Sequence, residues 1–120
     1  MAGTIVVDVS VNAENGVWSF PFSRSFSMIQ TNPGSHDPLH YLTTTAEAIG
    51  TGELVAPSIA VLFNIGSADI VYGPQSGGNL VPFGRIAPGE VALFRFYYGM
   101  TLMAKVEVGT GALWPIIFEG

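Results

Sequence analysis

The sequence predicts an all-β protein: an antiparallel two-sheet sandwich, jelly-roll-like, of about eight or nine short strands. Three observations carry this. The 120 residues include 15 Gly and 8 Pro at short intervals, which leaves little room for helices. The segments between them are rich in Val, Ile, Phe, Tyr and Thr, the residues that fit a pleated surface. Val17 to Ile29 has a clear period of two: Trp18, Phe20, Phe22, Phe26 and Met28 share one face, broken by Arg24, while Ser19, Ser23, Ser25 and Ser27 share the other.

The elements follow in order. Thr4 to Val11 reads as a first strand, and Asn12 to Gly16 as a hairpin loop in which Asn15-Gly16 supplies positive φ. Val17 to Ile29 is the second strand; Pro21 cannot donate to a ladder and marks an edge or a bulge. Thr31 to Pro38 is a loop around Asn32-Pro33-Gly34. Tyr41 to Ile49 is ambiguous, since three threonines favour a strand and Ala46 to Ile49 could form one helical turn. After an irregular connection, Ser58 to Ile65 is apolar at alternate and intervening positions, as in a central strand covered on both faces. Asp69 to Tyr72 is a short strand, Gly73 to Asn79 a loop, and Leu80 to Ile86 a strand kept to an edge by Pro82. Ala87-Pro88-Gly89-Glu90 has the Pro-Gly centre of a type II turn. Val91 to Phe96 and Thr101 to Val108 are joined by a hairpin tip at Tyr97-Tyr98-Gly99, and Ala112 to Phe118 is the last strand. No repeat or linker divides residues 1–120, so one sandwich domain is expected.

Composition bounds the function. Charged residues make up 11%, against about 25% in an average globular domain, and the mean hydropathy is +0.44. Nine acidic and four basic residues are few for a solvated coat, so some apolar surface is expected to lie against other chains. Arg24, Arg85, Arg95 and Lys105 form no basic cluster, which argues against nucleic acid as a partner. The longest apolar stretch, Leu54 to Ile65, is too short and too interrupted for a membrane helix, and the first residues lack the basic region of a signal peptide. With no cysteine there is no thiolate chemistry, which fits a reducing compartment.

No constellation of catalytic type stands out. His36, Asp37 and His40 could offer three metal ligands, but they fall in a loop with Pro38, and a solvated loop is the expectation. Ser76 lacks the preceding glycine of a nucleophile elbow. Glu47, Glu53, Asp69 and Glu90 sit beside turn residues and need not converge. No catalytic residue, metal or cofactor is expected. Trp18, Tyr72, Tyr97, Tyr98 and Trp114 could stack on sugar rings, making a carbohydrate-binding sandwich an alternative, though Trp18 and Trp114 lie in apolar runs typical of core or interface.

Thr45 to Ile49, Leu62 to Gly66, Pro82-Phe83, Ala87 to Arg95 and Leu102 to Lys105 resemble segments of small all-β virion proteins of tailed bacteriophages, most of all capsid cement or decoration proteins. The resemblance covers roughly residues 42–120. It implies a non-catalytic subunit that clamps the major capsid protein, often as a homotrimer, on the capsid surface after assembly in the host cytoplasm. A neck, tail or fibre-associated virion protein is the other assembly compatible with it. Trp18, Phe20, Pro21, Phe22, Arg24 and Phe26 of the long strand, with Tyr97 and Tyr98, are the candidate interface residues. Strand pairing at the edge of Val17 to Ile29 is the expected mechanism.

Overall fold

The structure, a computed structural model, describes residues 3–14, 16–17, 19–30, 35–36, 38–51, 54, 56–97 and 99–119, with the side chains of Phe20, Ser35 and His36 left aside. These residues form an all-β fold with no helix, built from a two-stranded sheet and two five-stranded sheets. The chain divides into two compact units, one carrying the two-stranded sheet and the other the rest.

The first unit is a hairpin of β1 (Gly3–Glu14) and β2 (Ser19–Gln30), paired residue for residue from Gly3 opposite Gln30 to Glu14 opposite Ser19. The strand therefore runs further than expected, through residues 12–14 of the expected loop. Asn12, Ala13 and Glu14 stay in the strand because each has a cross-strand partner, while Gly16 takes the expected positive φ of 84°. Pro21 sits on a sheet edge as expected but makes no bulge, since the register runs through it unbroken opposite Asn12. Directly opposed residues share a face. Ile5 with Met28, Val7 with Phe26, Val9 with Arg24 and Val11 with Phe22 make one face; Asp8 with Ser25 and Ser10 with Ser23 belong to the other.

The second unit is the sandwich. One sheet has β6 (Pro57–Asn64) at its centre, flanked by β10 (Val91–Arg95) and by β12 (Gly111–Glu119), with β3 (Ser35–His36) and β4 (His40–Leu42) beyond β12. The other orders β5 (Glu47–Ala48), β11 (Leu102–Val106) and β7 (Ile70–Ser76), with β8 (Asn79–Leu80) and β9 (Gly84–Ile86) on the far edge of β7. The twelve segments exceed the expected eight or nine because two strands are interrupted and β5 is a two-residue bridge. β3 and β4 keep one register against β12, with His36 opposite Ile117 and His40 opposite Leu113, so the gap between them sets Pro38 opposite Pro115. Ile65 N donates to Ala112 O, which turns even-numbered residues of β12 toward β6 and odd-numbered ones toward β3 and β4. Two prolines without N–H thus face each other where the ladder breaks. β8 and β9 are likewise one strand with a bulge: Phe83 N donates to Tyr72 O, and Gly84 also pairs Tyr72.

Several local expectations are revised. Residues 73–76 belong to β7 and are not a loop, because Gly73 lies so close to the crossing chain that a Cβ there would stand 2.0 Å from Val81 O. The turn is Gly77-Gly78, both with positive φ. Residues 46–49 form β5 and its flank rather than a helical turn, Ile49 N donating to Leu102 O. The 97–99 connection is no hairpin tip: β10 and β11 lie in different sheets, so it crosses the sandwich. The turn at residues 87–90 forms as expected, with Gly89 at φ 82° and Glu90 N donating to Ala87 O over 3.0 Å.

Between the two sheets lies the core: Leu42, Ile49, Ala60, Leu62, Ile70, Ile86, Leu102, Ala104, Val106, Leu113 and Ile117, all essentially inaccessible. Each leucine, isoleucine or valine among them contributes about 1.5–3 kcal/mol by leaving water. One polar residue is built into this layer. Asn64, fully buried at the end of β6, donates to Ala68 O and Ile86 O at 2.8 Å each and accepts from Gly66 N at 3.0 Å. It ties three segments together with its hydrogen bonds satisfied.

Candidate interaction surfaces

The sandwich has an apolar exterior as well as an apolar core. On β6 the inward residues are Ser58, Ala60, Leu62 and Asn64, so Ile59, Val61 and Phe63 lie on the other face; of these Ile59 is itself buried, and Val61 and Phe63 are half-buried. The registers of β10 and β12 line up three rows on that outer face: Val91, Phe63 and Trp114; Leu93, Val61 and Ile116; Arg95, Ile59 and Phe118. Arg95 is the one charge in the grid. Antiparallel sandwich sheets ordinarily turn polar residues outward, yet here Val91 is 58%, Leu93 39% and Trp114 38% exposed. Tyr41, opposite Ala112 on β4, extends the patch and is exposed too.

A second apolar feature opens between the sheets beside β10. A cavity of about 200 Å³ is lined by Tyr72, Gly73, Pro74, Phe83, Phe94, Arg95, Tyr97, Met100 and Leu102. Its walls follow from the backbone devices above. The bulge at Phe83 and Gly84 re-aims Phe83, and glycine at 84 leaves room for the Tyr72 ring, which a Cβ would meet at 2.7 Å. Tyr72 stacks with Phe94 at 6.2 Å between centroids and meets Phe83 edge-on at 6.2 Å, and Phe94 packs edge-on against Phe96 at 5.2 Å. Few polar groups line this space. A sugar ring needs several hydrogen-bond partners when it leaves water, so the cavity suits an apolar side chain better than a glycan.

In the hairpin unit no described side chain is buried. Phe26 is 47% exposed and Phe22 borders on exposed. The Arg24 guanidinium lies 5.2 Å from the Phe22 ring centroid and donates to Ser23 O at 2.8 Å. Pro21, Phe22 and Arg24 line a shallow groove with Ser10, Val11 and Asn12.

Of the residues singled out in the sequence, Pro21, Phe22, Arg24 and Phe26 thus lie on the hairpin, and Tyr97 borders the cavity in the sandwich unit. Trp18 and Tyr98 lie outside the described residues, as do Asn15, Asn32, Pro33, Gly34 and Glu53; of Phe20 only the backbone register is described. Sequence reasoning missed the outer grid of the sandwich. Residues 58–65, apolar in both phases, predict a central strand covered on both faces, and no residue of β6 is exposed; the exposed members of the grid are Val91, Leu93 and Trp114 on the flanking strands. The pieces proposed for metal or acid chemistry have structural neighbours: His40 Nδ1 lies 3.8 Å from Glu47 Oε1, Asp69 pairs with Arg85 at 3.5 Å, and Glu90 Oε1 accepts from Ala87 N at 2.8 Å. Asp37 is outside the description, and no group of three potential metal ligands occurs among the described residues.

No protein-family model, no curated protein and no solved structure matches the chain.

Proposed function

We propose that this chain is a structural subunit of a virion, a capsid cement or decoration protein that clamps the major capsid protein of a tailed phage by non-covalent contacts and associates with copies of itself, in the simplest case as a trimer. The observation that carries this reading is the apolar outer face built on β6, β10 and β12. A surface of Val91, Leu93, Trp114, Val61, Phe63 and Ile116 loses free energy in water and gains it against another protein. Low charge supports the same reading, because few ions must be desolvated when such a face is covered. The resemblance of residues 42–120 to phage virion proteins supplies the kind of assembly.

The test is binding to empty phage shells that lack decoration. The wild-type chain should co-sediment with shells and raise their melting temperature. Leu93→Glu, which puts a charge at the exposed end of the middle row of the outer face without touching the core, should lose both effects. Equal binding by the two proteins would remove the outer face from the account. Density on the tail or neck rather than on the shell lattice would move the subunit to another part of the virion.

A further inference from the structure

The charged residues, so few in this chain, leave a revealing remainder. Arg85 is matched by Asp69, Lys105 by Glu107 at 3.7 Å, and Arg24 lies over Phe22. Glu47 faces His40, and Glu90 and Glu119 accept backbone N–H groups of Ala87 and Ala56. Among the described residues, Arg95 on β10 and Asp8 and Glu14 on β1 have no ion-pair partner.

These residues sit on two strands that each have an open edge. β10 ends its sheet, with β6 on one side and no strand on the other among the described residues. Phe96 N donates to Ser58 O and Asn64 N to Glu90 O, so even-numbered residues of β10 bond to β6. The N–H and C=O groups of Val91, Leu93 and Arg95 therefore point out along the open edge. Among the described residues β1 pairs with β2 alone, is twelve residues long, and contains neither Pro nor Lys, the usual guards of an edge.

We propose that β1 of one copy adds to the open edge of β10 in a second copy, with Asp8 beside Arg95. The face pattern and length of β1 suit that edge. When Asp8 lies on the outer face with Arg95, strand alternation turns Val7, Val9 and Val11 to the inner face, beside Phe94 and Ala92 and over the mouth of the cavity lined by Tyr72, Phe83 and Met100. In antiparallel register, Asp8 opposite Arg95 carries the pairing as far as Asn12 opposite Val91, entirely within β1. The same pairing from Glu14 would run past the end of the strand. Backbone bonds supply affinity, the cavity selects apolar residues, and the single ion pair sets register. The contact is head-to-tail: each copy gives β1 and receives on β10, so a closed ring of copies pairs every β1 and β10 edge. This deepens the self-association part of the proposed function and rests on it; the pairing uses the open edge of β10, whereas the shell contact uses the outer face of the same sheet.

The chain has no cysteine, so engineered cysteines report the pairing cleanly. Two full-length single variants, Ser10→Cys and Leu93→Cys, carrying tags of different size, are mixed and oxidised. A mixed disulfide in clear excess over both symmetric ones is expected. In sedimentation experiments Asp8→Arg and Arg95→Asp should each weaken self-association roughly tenfold or more, and the combined swap should restore most of it. Symmetric disulfides, a statistical mixture, or an oligomer indifferent to Asp8→Arg would overturn the pairing and leave the shell-subunit reading intact. A wild-type chain that stays monomeric yet binds shells would overturn it too. A chain that neither self-associates nor binds shells would remove both.

Discussion

The hairpin and the sandwich use the same kinds of residue to opposite effect. β1 and β2 hold Ile5, Val7, Val9, Val11, Phe22, Phe26 and Met28 on one face, yet among the described residues no side chain of that unit is buried. β6 and β12 hold a comparable set, and Leu62, Leu113 and Ile117 are wholly enclosed. A two-stranded ribbon is marginal in water however apolar its face, because a single layer has no opposite layer to exclude solvent. Stability in this molecule therefore resides in the sandwich, and the hairpin's apolar side chains are available for a surface that covers them.

Substitutions that strike the sandwich should show the largest effects. Gly73→Ala would push a Cβ to within 2.0 Å of Val81 O, and the strand carrying Val81 and Phe83 must move to admit it. A loss of about 3 kcal/mol or more in urea unfolding is expected. Leu62→Ala, at a fully buried site on the central strand, should cost about 3–4 kcal/mol, whereas Val9→Ala in the hairpin should cost less than about 1 kcal/mol in a dilute monomeric sample. Equal costs at the two sites would break the contrast between the units. Asn64→Ala removes both carbonyl contacts and the acceptor for Gly66 N, so a loss of about 2–3 kcal/mol is expected, which differential scanning calorimetry can read. Arg85→Ala marks the small end of the scale: its pair with Asp69 is exposed, and the change should stay within about 0.5 kcal/mol.

Much of the architecture was legible from residues 1–120 because β patterning is local. The alternation of Phe22, Phe26 and Met28 against Ser23, Ser25 and Ser27 predicts the two faces of β2, and the register places them so. Pro88-Gly89 predicts a turn through its own backbone chemistry. Long-range geometry was not legible. Gly73-Pro74 reads as a loop by propensity, but the close passage of residues 81–83, far along the chain, makes it strand. Pro38 opposite Pro115 becomes meaningful only when β12 lies between β6 and β4. The candidate surfaces were half legible for the same reason. Tyr97 is named in the sequence as part of a hairpin tip, which the strand order replaces with a connection between sheets, and the cavity it borders requires the bulge at Phe83 and the stack of Tyr72 on Phe94. The outer grid needed the strand order, since only neighbouring strands turn isolated apolar residues such as Leu93 and Trp114 into one surface.

The central claim is that this apolar exterior is covered by neighbouring protein. Hydrogen exchange of the chain alone and bound to empty shells tests it most directly, read at the amides of β10 and β12 and of the hairpin. The account predicts that β6 and the middle of β12 are protected in both states, and that the open edge of β10 and the ribbon of β1 and β2 gain protection only in the assembled state. Unchanged exchange at β10 and in the hairpin, with the protein demonstrably on the shell, would contradict it.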